Sequence, residues 1–289
     1  MSSRNPARTI AVAGLACLAG CEPGVLSPAG PVAADIRTIL FDSVGIMALI
    51  VVPVIGLAIG FAWWFRAGNT RATYRPDWTY SGRLELLVWS IPALVVIFLA
   101  GIAWIGSHRL HPPRPLVSKV RPIQVEVVSF DWKWLFLYPE QGVASVNRLV
   151  IPAGTPVRFR ITSATVMNSF FVPRLGSQIY AMAGMTTQLN LQADKPGRYR
   201  GLSAHYSGRG FPGMAFATDA VAPAQFGAWV AGAKAGGPVL DKGAYLQLLR
   251  ESENVKPYTY RAVAPGMFDA IVRDTGTGAA RGEHGGRTE

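Results

Sequence analysis

Few side chains in this sequence have the types and spacing that chemistry needs. Residues 199–214, YRGLSAHYSGRGFPGM, have the Gly-rich look of a loop wrapped around something, yet they offer one histidine, His205, one methionine, Met214, and no cysteine. Together with Met182 and Met185 upstream, His205 and Met214 could form a weak cuprous site of thioether and imidazole donors. Soft-metal sites usually cluster His and Met more tightly, so methionines filling a core and a lone histidine fit the spacing better. Both cysteines, Cys17 and Cys21, stand at the front of the chain. Glu85 is the single charge in a 24-residue apolar run, where an ionisable group calls for a reason.

The elements around these residues follow from composition. The 289 residues are 50 % hydrophobic and 16 % charged, with a mean hydropathy of +0.25. That balance suits a few spanning helices plus one water-facing domain. The formal charge of +11 does not indicate a nucleic-acid protein, because the 28 Lys and Arg are scattered rather than gathered in a stripe with stacking aromatics. Residues 1–20 read as a secretory signal, with Arg4 and Arg8 before a short apolar run. Leu18-Ala19-Gly20-Cys21 resembles the bacterial lipobox, which predicts cleavage before Cys21, a lipid on its thiol, and a periplasmic segment over 21–42.

SVGIMALIVVPVIGLAIGFAWWF (43–65) and LELLVWSIPALVVIFLAGIAWIGS (84–107) are long enough to cross a bilayer, so 43–107 reads as a transmembrane hairpin with loop 66–83. Loop 66–83 carries Arg66, Arg71, Arg75 and Arg83 against Asp77 alone, which places it in the cytoplasm and both ends of the chain outside. After a Pro-rich linker, 108–122, come short runs of β-formers broken by Gly and Pro, which predict a sandwich or barrel over 123–220. Trp132, Trp134, Phe136 and Tyr138 alternate as one packed face of a strand. Residues 221–273 read as a helical extension and 274–289 as a disordered tail.

DWKWLFLYPEQG, PAGTPVRFRITS, VMNSFFVPRLGSQIYAMAGM and YSGRGFPGM, in that order after two spans, resemble subunit II of the haem–copper terminal oxidases. The chain is most similar to the subunit II branch of the cytochrome bo-type ubiquinol oxidases. The resemblance covers the chain to about residue 220. It implies a cupredoxin-like β-sandwich and a proton-pumping complex that oxidises ubiquinol and reduces oxygen to water. It further implies haems and copper held by subunit I, with subunits III and IV as additional partners, and no role for cytochrome c.

In the cytochrome c oxidase branch this domain holds dinuclear copper. The corresponding positions here are Asn168 for the first histidine, Leu202 and Tyr206 for the cysteines, and Gly210 for the second histidine, with Met214 near the methionine. Without cysteines after residue 21, two bridging thiolates are ruled out, so the resemblance implies a subunit that binds no metal. Asn168→His alone is then expected to be silent. Glu85, in LELLVWSIP, resembles a glutamate near the mouth of a proton-uptake pathway into subunit I. The other readings are a cytochrome c oxidase subunit II and a periplasmic copper- or ligand-binding lipoprotein.

Overall fold

The computed structural model describes residues 24–73 and 75–282. The expected signal peptide and Cys21 lie outside them. The chain divides into two compact units. One is formed by residues 35–111, the other by the described residues up to Ala34 together with those from Pro112 onward.

The first unit is a helical pair. Helix α1 runs Pro31–Trp64, beginning in the other unit, and α2 runs Gly82–Arg109. Both pass through their prolines, Pro53 and Pro92, without a break. At 1.5 Å per residue they measure about 51 and 42 Å, longer than a hydrocarbon core of about 30 Å. Their apolar side chains point outward rather than into a core, and both are long and apolar enough to cross a membrane. The last turn of α2 carries His108 and Arg109, cations suited to the negative end of a helix.

The second unit is a β-sandwich. One sheet has the order β12-β3-β2-β1-β5-β8, with β1 Ile123–Phe130, β2 Lys133–Tyr138, β3 Val143–Val146, β5 Val157–Ser163, β8 Thr187–Leu191 and β12 Tyr258–Tyr260. The other has the order β4-β10-β9-β6-β7, with β4 Arg148–Pro152, β6 Asn168–Phe171, β7 Ile179–Ala181, β9 Gly197–Ser203 and β10 Ala215–Val221. Trp134 and Phe136 of β2 meet Phe170 of β6 and Phe216 of β10 between the sheets, with ring centroids 5.1–6.5 Å apart. Rings at such separations attract beyond their area of burial.

β2 is buried on both faces. Trp134, Phe136 and Tyr138 face the sandwich interior, while Leu135 and Leu137 enter a second core with Leu240, Leu248, Phe268 and Ile271. That second core is supplied by the C-terminal segment, which contains α3 Pro223–Ala235, β11 Val239–Leu240, α4 Lys242–Leu248, β13 Ala262–Val263 and α5 Met267–Gly282. Residues beyond 221 are thus not solely helical. β12 pairs with β3 and widens the first sheet, and β11 pairs with β13.

The chain is also helical where a disordered tail was expected from 274, since α5 continues to Gly282. The physical reason is local packing. Gly184 N donates to Thr275 Oγ1 at 3.0 Å, and a Cβ on Gly184 would lie 2.6 Å from Gly276 Cα, so two glycines bring the helix against the turn between β7 and β8. The Pro-rich linker is likewise anchored. Pro112 O accepts from both the backbone N and the Nδ2 of Asn190 in β8.

Candidate functional site

The loop between β9 and β10 closes one end of the sandwich over Trp132. Asp131 and Trp132 form the two-residue turn of the β1–β2 hairpin, with Phe130 paired to Lys133. Trp132 therefore does not lie on β2 with the alternating aromatics. It takes a left-handed φ of 66°, a conformation in which a bulky side chain is a genuine outlier. Its indole holds it there. Nε1 donates to Ser207 O at 2.9 Å, the Arg209 guanidinium lies 5.7 Å from the ring centroid, and Gly208 and Gly210 pack on its face.

Each copper-site position named from the sequence can now be placed. Asn168, at the start of β6, is fully buried and occupied. Its Oδ1 accepts from Ser203 Oγ at 3.1 Å and its Nδ2 donates to Val166 O at 3.2 Å. Leu202 pairs with Ala215 and Phe171 within the sheet. Tyr206 is 72 % exposed, its ring edge on Phe211. At Gly210 an added Cβ would lie 2.3 Å from the indole of Trp132, so that ring fills the space a histidine would need. Met214 is buried, and its sulfur accepts a weak bond from Ser207 Oγ at 3.9 Å. This set of side chains does not fit dinuclear copper. It offers no thiolate, and the space is taken by an indole and an amide already in use. Against the expectation that Asn168→His is silent stands the site itself: Asn168 is fully buried, makes two hydrogen bonds, and would have to make room for a larger ring.

The donors of the alternative cuprous site are dispersed in environment. Met185 is 55 % exposed, Met214 is buried, and His205 sets its ring edge-on to Tyr180 with centroids 6.0 Å apart. Among the described residues no three His, Cys, Asp or Glu side chains gather as a metal cluster.

What holds the loop is a strap from the C-terminal segment, residues 250–255, which sequence reasoning missed. Lys133, buried at the base of the hairpin, donates from Nζ to Arg250 O at 2.8 Å and to Ser252 Oγ at 2.6 Å. Burial lowers its pKa, while the nearby Asp131 carboxylate opposes that shift. Asn147, with φ of 53°, accepts from Trp134 N and donates to Val255 O, both at 2.8 Å. On the loop side, Arg209 pairs with Glu253 at 2.8 Å, and Asn254 sits against Gly213, where a Cβ would come within 2.7 Å of its Oδ1. The available signals were the apolar residues on both faces of β2 and the asparagines flanking its neighbours.

Glu85 lies in the first turn of α2, exposed, where a carboxylate favours the positive end of the helix. It makes no ion pair with Arg83 among the described residues.

Comparison with known proteins agrees with this geometry. The family model of the cytochrome c oxidase subunit II periplasmic domain matches residues 140–221, and that of the COX aromatic-rich motif matches residues 234–274, which contain the strap. The cytochrome bo(3) ubiquinol oxidase subunit 2 of Pseudomonas aeruginosa is 45 % identical over 294 residues, covering 99 % of this chain and 89 % of that protein. The Pseudomonas putida protein of the same name is 48 % identical, covering 90 % and 82 %. The ubiquinol oxidase subunit 2 of Acetobacter aceti is 48 % identical, covering 94 % and 90 %. With identity of this level running through the helices, the sandwich and the strap, the chain belongs to the subunit 2 family of the bo(3)-type ubiquinol oxidases.

Proposed function

We propose that this chain is subunit II of a proton-pumping ubiquinol oxidase in an aerobic respiratory chain, anchored in the bacterial inner membrane with its sandwich in the periplasm. The complex oxidises ubiquinol and reduces oxygen to water. Subunit I is its obligatory partner and holds the haems and copper, and subunits III and IV complete the assembly. The chain itself carries no redox centre. The observation that supports this reading is the end of the sandwich around the β9–β10 loop, where the positions aligned with copper donors are Asn168 of β6, hydrogen-bonded, Leu202 of β9, and Tyr206 and Gly210 of the loop. A membrane-soluble donor such as ubiquinol has no need of an electron relay in an outside domain. The remaining tasks are assembly and support of proton uptake.

The domain order proposed is a signal over 1–20, a lipid at Cys21, an outside segment to 42, the hairpin with its cytoplasmic loop, and the sandwich with its C-terminal cover. Residues 24–34 share the compact unit of the sandwich, with Ala29 bonded through its N to Arg174 O and through its O to Asp194 N. That docking keeps a lipid at Cys21 close to the domain.

Deleting this chain should abolish quinol-driven oxygen uptake in membranes, and the full sequence should restore it. A chain ending at residue 110 should fail to restore haem-containing complex. Normal uptake in the deletion strain would refute the assignment, and full recovery by the short chain would refute the assembly role. For Glu85, read as lying at the cytoplasmic start of α2, Glu85→Ala should slow turnover. Glu85→Asp should slow it much less. Unchanged oxygen uptake and proton pumping in Glu85→Ala would remove it from the proton pathway.

A further inference from the structure

The connector between the two helices folds into a basic cup. Asn69 organises it, donating from Nδ2 to Trp64 O at 2.5 Å and accepting at Oδ1 from Arg71 N at 3.2 Å. Its backbone closes further turns with Arg66 and Ala72. The result is a cavity of about 690 Å³ lined by Arg66, Arg71 and Arg75 together with Trp64, Phe65 and Trp78. Arg66 is fixed, donating to Trp63 O at 3.0 Å with its guanidinium 4.9 Å from the Trp63 ring centroid. Neither Arg71 nor Arg75 makes an ion pair among the described residues. Asp77, the one acid of the connector, does not line the cavity.

We propose that this cup binds the headgroup of an anionic phospholipid of the cytoplasmic leaflet, with Arg71 and Arg75 on its phosphates and the tryptophans at its glycerol. The inference rests on the cytoplasmic placement of the connector and not on the redox reading. Three guanidinium groups that make no ion pair among the described residues form a strongly positive site, and guanidinium matches phosphate oxygens in bidentate fashion. The site lies at the end of an apolar helix, among aromatics of the kind that settle at headgroup level. Its volume exceeds what a lone phosphate needs, given about 30 Å³ for each water-sized group. A diphosphate lipid such as cardiolipin satisfies both the charge and the room. Basic clusters at this depth attract anionic lipid with about fivefold in affinity per arginine.

The test uses the tagged, detergent-solubilised complex, stripped of lipid and titrated with cardiolipin, with bound lipid counted by native mass spectrometry. Wild type should retain one tightly held equivalent that Arg71→Gln/Arg75→Gln loses, weakened about twentyfold or more. The Arg71→Lys/Arg75→Lys form should fall between wild type and the Gln pair, keeping the charge but losing the bidentate fork. Haem content and oxygen uptake should be unchanged in both. If the Gln pair does not assemble, Arg71→Gln alone carries the comparison, with about fivefold expected. Equal retention by the Gln forms overturns the proposal, as does equal occupancy by phosphatidylethanolamine. Displacement by millimolar inorganic phosphate would make it a free-anion site. Binding to the isolated chain but not to the complex would mean that another subunit covers the cup.

Discussion

Asn168 and Gly210, the positions that the resemblance aligns with histidines of the copper-bearing branch, are each committed to something else. Asn168 joins β6 to β9 through Ser203, inside the sandwich. Gly210 has no room for a side chain while Trp132 lies over it. Asn168→His should therefore destabilise the chain by about 1–3 kcal/mol, the cost of fitting a larger ring into a fully buried site, with no gain in copper affinity. Thermal unfolding with and without added copper would check this. A Tm equal to wild type, or one raised by copper, would show that the pocket still admits a donor. Glu85 belongs at this scale too. The sequence marked it by its charge in an apolar run and by the resemblance of LELLVWSIP, and its exposure on the first turn of α2 leaves it open to water or to a partner.

At the scale of elements, the strap at 250–255 does by hydrogen bonding what a metal would do by coordination: it ties the β9–β10 loop to the β1–β2 hairpin. Lys133 is its anchor. Lys133→Met keeps the apolar stem but leaves Arg250 O and Ser252 Oγ short of a donor, at a penalty of about 1–3 kcal/mol. Amide exchange should rise first in 250–255 and 204–214, with the sandwich core still protected. Uniform loss of protection across all strands would show that the strap is not a separate unit.

The elements were unequally legible in the sequence. Two long apolar runs, one without a charge and one with Glu85 alone, announced the helices, since both are long enough to cross a bilayer. The short β-runs announced a sandwich. The turn at Trp132 was hidden, because its left-handed φ contradicts local preference and is imposed by partners distant in sequence. The C-terminal cover was hidden for a similar reason. Helical periodicity in 221–273 marks an apolar face, and does not say that Leu248, Phe268 and Ile271 meet Leu135 and Leu137 more than a hundred residues away. α5 beyond 274 has a polar, Gly-rich sequence that looks disordered until Gly276 meets Gly184.

For the whole molecule, the central claim is that electrons reach the complex from a membrane quinol and bypass the periplasmic sandwich. The direct test is oxygen uptake by complex purified through a tag at the C-terminus, measured side by side with ubiquinol and with reduced cytochrome c. Haem-containing material that consumes oxygen with ubiquinol and is idle with cytochrome c is the predicted result. Comparable uptake with cytochrome c would contradict it, since electrons would then be entering through a domain that has no cysteine to hold dinuclear copper.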